Sequence, residues 1–151
     1  MEPRLVDQSA FDVVGLEVVT TPKSPAISAL WDSFVPRMHE ISMSAPEKAA
    51  YGVMTRDERD PGSMRYLAGL PVAGASSMPR GMKSVTIPAG RYAVFNSSLA
   101  ELSRDFDSIY GSWLPASGMR VEGRPVYERY GEEFDPGNPH SLVTIHIPVA
   151  P

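Results

Sequence analysis

The chain has 151 residues, 42% of them hydrophobic and 21% charged, which suits one globular domain over residues 1–151 with a substantial core. Eighteen acidic residues against fourteen basic ones leave a net charge of −4, and no basic block or stripe is present to grip nucleic acid through its phosphates. Disulfides and thiolate chemistry are excluded because cysteine is absent, and with neither a signal-peptide pattern nor an apolar run of roughly 18–20 residues the expectation is a cytoplasmic protein without a membrane span.

Phe11–Thr20 is β-branched and apolar, and reads as a strand bent or bulged at Gly15. Pro22 and Pro25 close it, and Ser24 or Pro25 can start a helix. From Ala26 to Glu40 the residues Ile27, Leu30, Trp31, Phe34 and Met38 recur at helical spacing, with a kink or early end expected at Pro36. Ala50–Thr55 and Met64–Ala73 read as strands joined by the turn-forming DERDPGS segment. Ser76–Arg80 is a loop, and then the pattern restarts. Val85–Phe95 is a strand with a central glycine. Leu99–Leu114 places Leu102, Phe106, Ile109, Tyr110 and Trp113 on one helical stripe, which Pro115–Gly118 ends. Arg124–Tyr130 and Leu142–Val149 are the closing strands, separated by the turn-rich EEFDPGNPHS.

The two halves, about 1–77 and 78–151, keep a common register. Gly15 and Gly90, Trp31 and Phe106, and the DPG turns at Asp60 and Asp135 all stand 75 residues apart. The motifs LPVA from Leu70 and IPVA from Ile147 stand 77 apart. Four landmarks in one order indicate an internal duplication of a strand–helix–strand–strand unit. The fold class this predicts is α+β: duplicated βαββ units forming an antiparallel sheet, two helices packed on it, and a pseudo-twofold axis with a cleft between the halves.

The second-half strand RPVYERY carries one acid. Alternation places Val126, Glu128 and Tyr130 on one face and Tyr127 and Arg129 on the other. Glu128 thus shares a face with an aliphatic and an aromatic residue, where a carboxylate loses water and needs a compensating partner. The alternative is a surface glutamate, or one paired with Arg124 or Arg129. At an offset of 75 its twin in the first half is the apolar Val53.

The runs IPAGRYAVF, DSIYGSWLPASGMR and PVYERYGE, with the closing TIHIPV, resemble the GyrI-like small-molecule-binding domain, which also forms the effector-binding part of many AraC-type and MerR-type bacterial regulators. The resemblance covers essentially the whole chain and is strongest over Val85–Val149. It implies the duplicated βαββ (GyrI-like or SOUL-like) fold already derived. It also implies that Glu128, by its place in VYERY, is the buried glutamate that meets aromatic cations in multidrug-binding members. No helix-turn-helix is read in this chain, so the resemblance implies a free-standing effector domain. Some members are gyrase inhibitors, and others hydrolyse cyclopropane-bearing natural products with an acid in the same pocket, so a gyrase or regulator partner and a hydrolase are the rival implications.

Aromatic rings around a desolvated acid suit a lipophilic, cationic aromatic ligand, because rings offer stacking and cation–π attraction while the carboxylate neutralises charge. The candidate ligand-binding residues are Glu128, Tyr130, Tyr66, Tyr92, Tyr110, Trp113 and Trp31. For Trp31 and Trp113, at helical spacing, a plain core role is the competing reading. If the protein is an enzyme, Glu128 is the catalytic residue. No cofactor or metal is expected. His39, His140 and His146 are scattered without a second ligand at a recognised spacing, and no nucleophile motif or phosphate-cradling glycine loop occurs.

Overall fold

The computed structural model describes residues 2–42, 45–57, 59–74 and 78–150. Each half contributes a short leading strand, three further sheet strands and a helical segment. In the first half these are β1 (Arg4–Gln8), β2 (Phe11–Thr20), α1 (Pro25–Phe34) followed by a 3-10 turn at Val35–Glu40, β3 (Ala50–Arg56) and β4 (Met64–Val72). The second half holds β5 (Lys83–Ile87), β6 (Gly90–Ser98), α2 (Leu102–Ser108), a π-helical turn at Ile109–Trp113, α3 (Leu114–Ser117), β7 (Arg120–Val121), β8 (Val126–Tyr130) and β9 (Leu142–Ala150). Of the loop expected at Ser76–Arg80, Ser76 and Ser77 lie outside the described residues.

Every strand pair is antiparallel, and the order β1-β6-β9-β8-β3-β4-β2-β5 is palindromic about the central β8–β3 pair. The short leading strands are exchanged between the halves. β1 precedes β2 in sequence but pairs with β6, and β5 precedes β6 but pairs with β2. Gln8 faces Gly90 and, three residues on, Phe11 faces Ile87, so both pairings keep one register through the two bends. The sheet therefore curls until its ends meet, which leaves few unpaired edges.

Curling gives the sheet an inside and an outside, and strand alternation fills both. Val13, Leu67, Val94 and Tyr127 point inward into a core shared with Tyr51, Val53, Ile87 and Tyr92. Their neighbours Val14, Tyr66 and Ala68 point outward beneath α1 with Phe34, and Ala93 and Phe95 point outward beneath α2 with Ile109. Both helices thus lie on the outer face, as the repeat implied.

Several boundaries differ from the sequence reading, each for a local reason. Gly15 does not break β2; it lets β2 lie close on β4, where a Cβ would sit 1.8 Å from the Ala68 carbonyl oxygen. The strand expected over Val85–Phe95 is split at Pro88–Ala89, and the Tyr92 hydroxyl donates to the Pro88 carbonyl at that corner (2.7 Å). Ser24 caps α1 by accepting from the Ala26 amide (3.1 Å), Pro25 begins it, and the α-helical part stops at Phe34, two residues before Pro36. In the second half the helical path starts at Leu102 rather than Leu99 and tolerates Pro115 at the first turn of α3. It ends at Gly118, whose left-handed backbone (φ 74°) suits glycine.

Candidate functional site

Glu128 lies on β8 between Tyr127, which faces the inner core, and Arg129, so alternation turns its side chain outward under the helices. Its partners across the sheet are Gly52 on β3 and Ile145 on β9. Val53 points into the inner core, on the opposite face, and cannot be the structural twin of Glu128. The twin is Gly52: Ala68 and Ile145 each stand two residues before the matching LPVA and IPVA, and their strand partners are Gly52 and Glu128. A Cβ at Gly52 would come within 2.0 Å of the Tyr66 hydroxyl and 2.8 Å of Glu128 Oε1. The missing side chain at Gly52 makes room for the acid of the second half and for the Tyr66 phenol of its own half.

The carboxylate is 5% exposed. Tyr66 and Tyr130 both donate to the same oxygen, Oε1, at 2.8 and 2.7 Å. The Trp31 indole N–H donates in turn to the Tyr66 hydroxyl at 3.0 Å, tying α1 to the acid. Among the described residues no basic side chain pairs with Glu128. Arg129 pairs instead with Glu47 (3.0 Å), and Arg124 donates to the Arg91 carbonyl (3.1 Å) while lying over the Tyr92 ring. Burial raises the Glu128 carboxyl above its ordinary 4.5, and the hydrogen bonds from Tyr130 and Tyr66 pull the other way without cancelling it. Burial and then the neighbouring acid push both phenols well above 10, so they remain donors.

Above Glu128 opens a cavity of about 880 Å³ between α1 and α2, lined from both halves. Glu128, Tyr66, Tyr130 and Trp31 lie at its floor and first wall, and Tyr110 stands on the opposite wall. The Trp31 and Tyr130 rings meet edge to face, 5.3 Å apart. Residues outside the ligand-binding candidates complete it: Ile27, read from the sequence only as part of a helical stripe, and Ser28 on α1, Met54 and Met64 on the sheet, and Leu102 and Phe106, likewise read as stripe positions, on α2. Met54 could have been placed by alternation, since its neighbour Val53 is an inward residue. At the mouth the Lys23 ammonium meets the Asp107 carboxylate (2.8 Å), joining the loop before α1 to α2 across the two halves.

Of the other candidates, Tyr92 and Trp113 lie away from the cavity. Tyr92 is fully buried in the inner core, packed edge to face on Tyr127. Trp113 packs against Phe95 in the core beneath α2. Tyr110, expected on the core stripe, is 44% exposed on the cavity side. The stripe divides at the π turn, which widens the helix by one residue and turns Ile109 and Trp113 to the sheet. His146 stacks on Tyr127 and contacts Thr144 Oγ1 (2.9 Å), and burial pushes its pKa down to about 3. Among the described residues no three histidine, aspartate or glutamate side chains come together in a group able to hold a metal ion.

The profile of the GyrI-like small molecule binding domain matches residues 1–150. The chain belongs to this family. The GyrI-like domain is 32% identical over 152 residues to the transcriptional regulator BrlR of Pseudomonas aeruginosa PAO1, covering 99% of this chain and 56% of BrlR. The chain thus spans about half the length of that regulator. Among solved structures it is similar to SAV2435 bound to tetraphenylphosphonium (TM-score 0.78, 15% identity, 99% of this chain and 94% of that one). It is also similar to an integron cassette protein from Vibrio cholerae (TM-score 0.69, 17% identity, 99% and 97%). At such identities these structures bear on the fold, a curled antiparallel sheet carrying two helices. Among the described residues of this GyrI-like domain no helix is long and apolar enough to cross a membrane.

Proposed function

We propose that the cavity binds lipophilic aromatic cations, with Glu128 as the counter-ion at its floor. The observation that carries this reading is a buried carboxylate held by two phenols and facing no basic side chain among the described residues. A buried acid without a partner is costly unless something else supplies the positive charge. Rings from α1, β4, β8 and the π turn after α2 (Trp31, Tyr66, Tyr130 and Tyr110) surround the space in front of it and offer apolar burial and cation–π attraction. Met54 and Met64 add side chains that adapt to ligands of different outline. A volume of about 880 Å³ accommodates a drug-sized molecule. Tetraphenylphosphonium, held by the structurally similar SAV2435, has the charge and the rings that this site would select.

Titration of tetraphenylphosphonium against tryptophan fluorescence tests the reading. The expected result is saturable quenching that is lost in Trp31→Phe and kept in Trp113→Phe, because only Trp31 borders the cavity. Recovery of the ligand unchanged supports binding. Consumption of a strained electrophilic substrate, abolished by Glu128→Gln, would instead establish the hydrolase. Quenching that depends on Trp113 alone would place the ligand elsewhere.

A further inference from the structure

The cavity has an acid at its floor that meets no counter-charge among the described residues, and this bears on what fills that electrostatic role when the cavity is empty. Glu128 is faced from β4 by Tyr66, from its own strand by Tyr130, from α1 by Trp31, and from β3 and β9 by Gly52 and Ile145. From α2 the cavity receives Asp107, and from the loop before α1 Lys23, which are already paired with each other at 2.8 Å. Arg56 lies on the wall but is exposed. Among the described residues, then, no cation reaches the carboxylate. Both hydrogen bonds arrive at Oε1, and among the described residues none reaches Oε2, which can carry a proton itself.

We propose that the cavity exchanges a proton for its cation: Glu128 is protonated in the empty protein and releases that proton to solvent as a permanent cation enters. This rests on the reading of the cavity as a cation site. The step balances: the O–H bond of the carboxylic acid breaks, its electron pair stays on Oε2 as the carboxylate, and the arriving positive charge replaces the departing one. The net charge of the cavity is the same before and after, so a desolvated charge never stands alone. The upward displacement of the carboxyl by burial agrees with this geometry. Affinity for the cation then falls about tenfold for each pH unit below the raised pKa of Glu128, and is flat above it. Selection follows as well: a neutral molecule of the same shape displaces no proton and gains nothing as pH rises.

The test is calorimetric titration of tetraphenylphosphonium in pairs of buffers with different ionisation heats, over a pH series from mildly acidic to mildly alkaline. Close to one proton released per ligand is expected at the acidic end and none at the alkaline end. Triphenylphosphine oxide, a neutral probe, should release none. Tyr130→Phe keeps the ring and removes a donor that favours the ionised form, so it should move the transition to higher pH. Infrared difference spectra of the empty protein provide a second readout, with a protonated-carboxyl band at mildly acidic pH in the native chain and none in Glu128→Gln. Binding of the phosphonium without proton release at any pH, or no such band, would overturn the exchange while leaving the cation site standing. Failure of the phosphonium to bind at every pH would overturn the cation site and the exchange with it.

Discussion

Glu128 illustrates how a single position can be legible in kind and misread in context. Alternation along VYERY suffices to place it opposite Tyr127 and beside Tyr130, and the folded chain keeps that arrangement. Its twin was not legible from a fixed offset, because the repeats differ in length between the helix landmarks and the closing strands, and in a strand a slip of one residue changes the face. Gly52, the twin on the correct face, leaves no trace in a sequence pattern because its contribution is the space occupied by Tyr66 and Glu128. Burial also gives the acid a cost in stability. Its folded pKa lies above the ordinary 4.5, so the folded state holds the proton more tightly than the unfolded state does. The native chain therefore loses stability as pH rises from about the unfolded value through the raised folded value, and is level beyond it. Urea unfolding of the native chain and Glu128→Gln should show the advantage of the variant growing over that interval. The gain is about 1.4 kcal/mol for every tenfold weakening of the acid by burial. A difference that stays constant with pH would mean that the carboxyl titrates normally.

At the scale of elements, the long periodic segments were readable and the short or interrupted ones were not. α1 announces itself by the Ser24–Pro25 start and its apolar stripe, and α2 by Leu102, Phe106 and Ile109. β1 is five residues with charges at both Arg4 and Asp7, and it is a strand only because β6 of the other half offers an edge to pair with. The π turn at Ile109–Trp113 has no sequence signature, yet it decides that Tyr110 faces the cavity and Trp113 the sheet. The Lys23–Asp107 pair across the mouth depends likewise on tertiary placement. Lys23 reaches it from a left-handed backbone conformation (φ 67°) uncommon for lysine. Both partners are largely exposed, so the pair contributes only about 0–1 kcal/mol to stability. Its predicted effect is kinetic. Asp107→Asn should leave the denaturation midpoint nearly unchanged and speed tetraphenylphosphonium release, by up to about fivefold, in a stopped-flow displacement experiment. A slower release would show that the pair does not restrain the mouth.

The whole molecule is organised by closure. Exchange of β1 and β5 between the halves curls one sheet around the inner core, and the two helices are carried to neighbouring positions on the outside. The cavity is the gap that this symmetry leaves between α1 and α2, and the departure from symmetry, Glu128 against Gly52, supplies its one buried acid. The duplication seen in the sequence foretold the helices and the gap; the exchange that closes the sheet was hidden, because pairing between distant segments is not written in either segment alone. The proposed function then turns on whether that acid recognises charge rather than shape. The most direct measurement compares the affinities of tetraphenylphosphonium and triphenylphosphine oxide for the native chain and for Glu128→Gln, at a pH where the native affinity no longer changes. The prediction is a loss of about 2–5 kcal/mol for the phosphonium, the usual cost of truncating one partner of a buried charge pair, with a much smaller change for the neutral oxide. Equal losses for both ligands would contradict it and make Glu128 a structural support of the cavity.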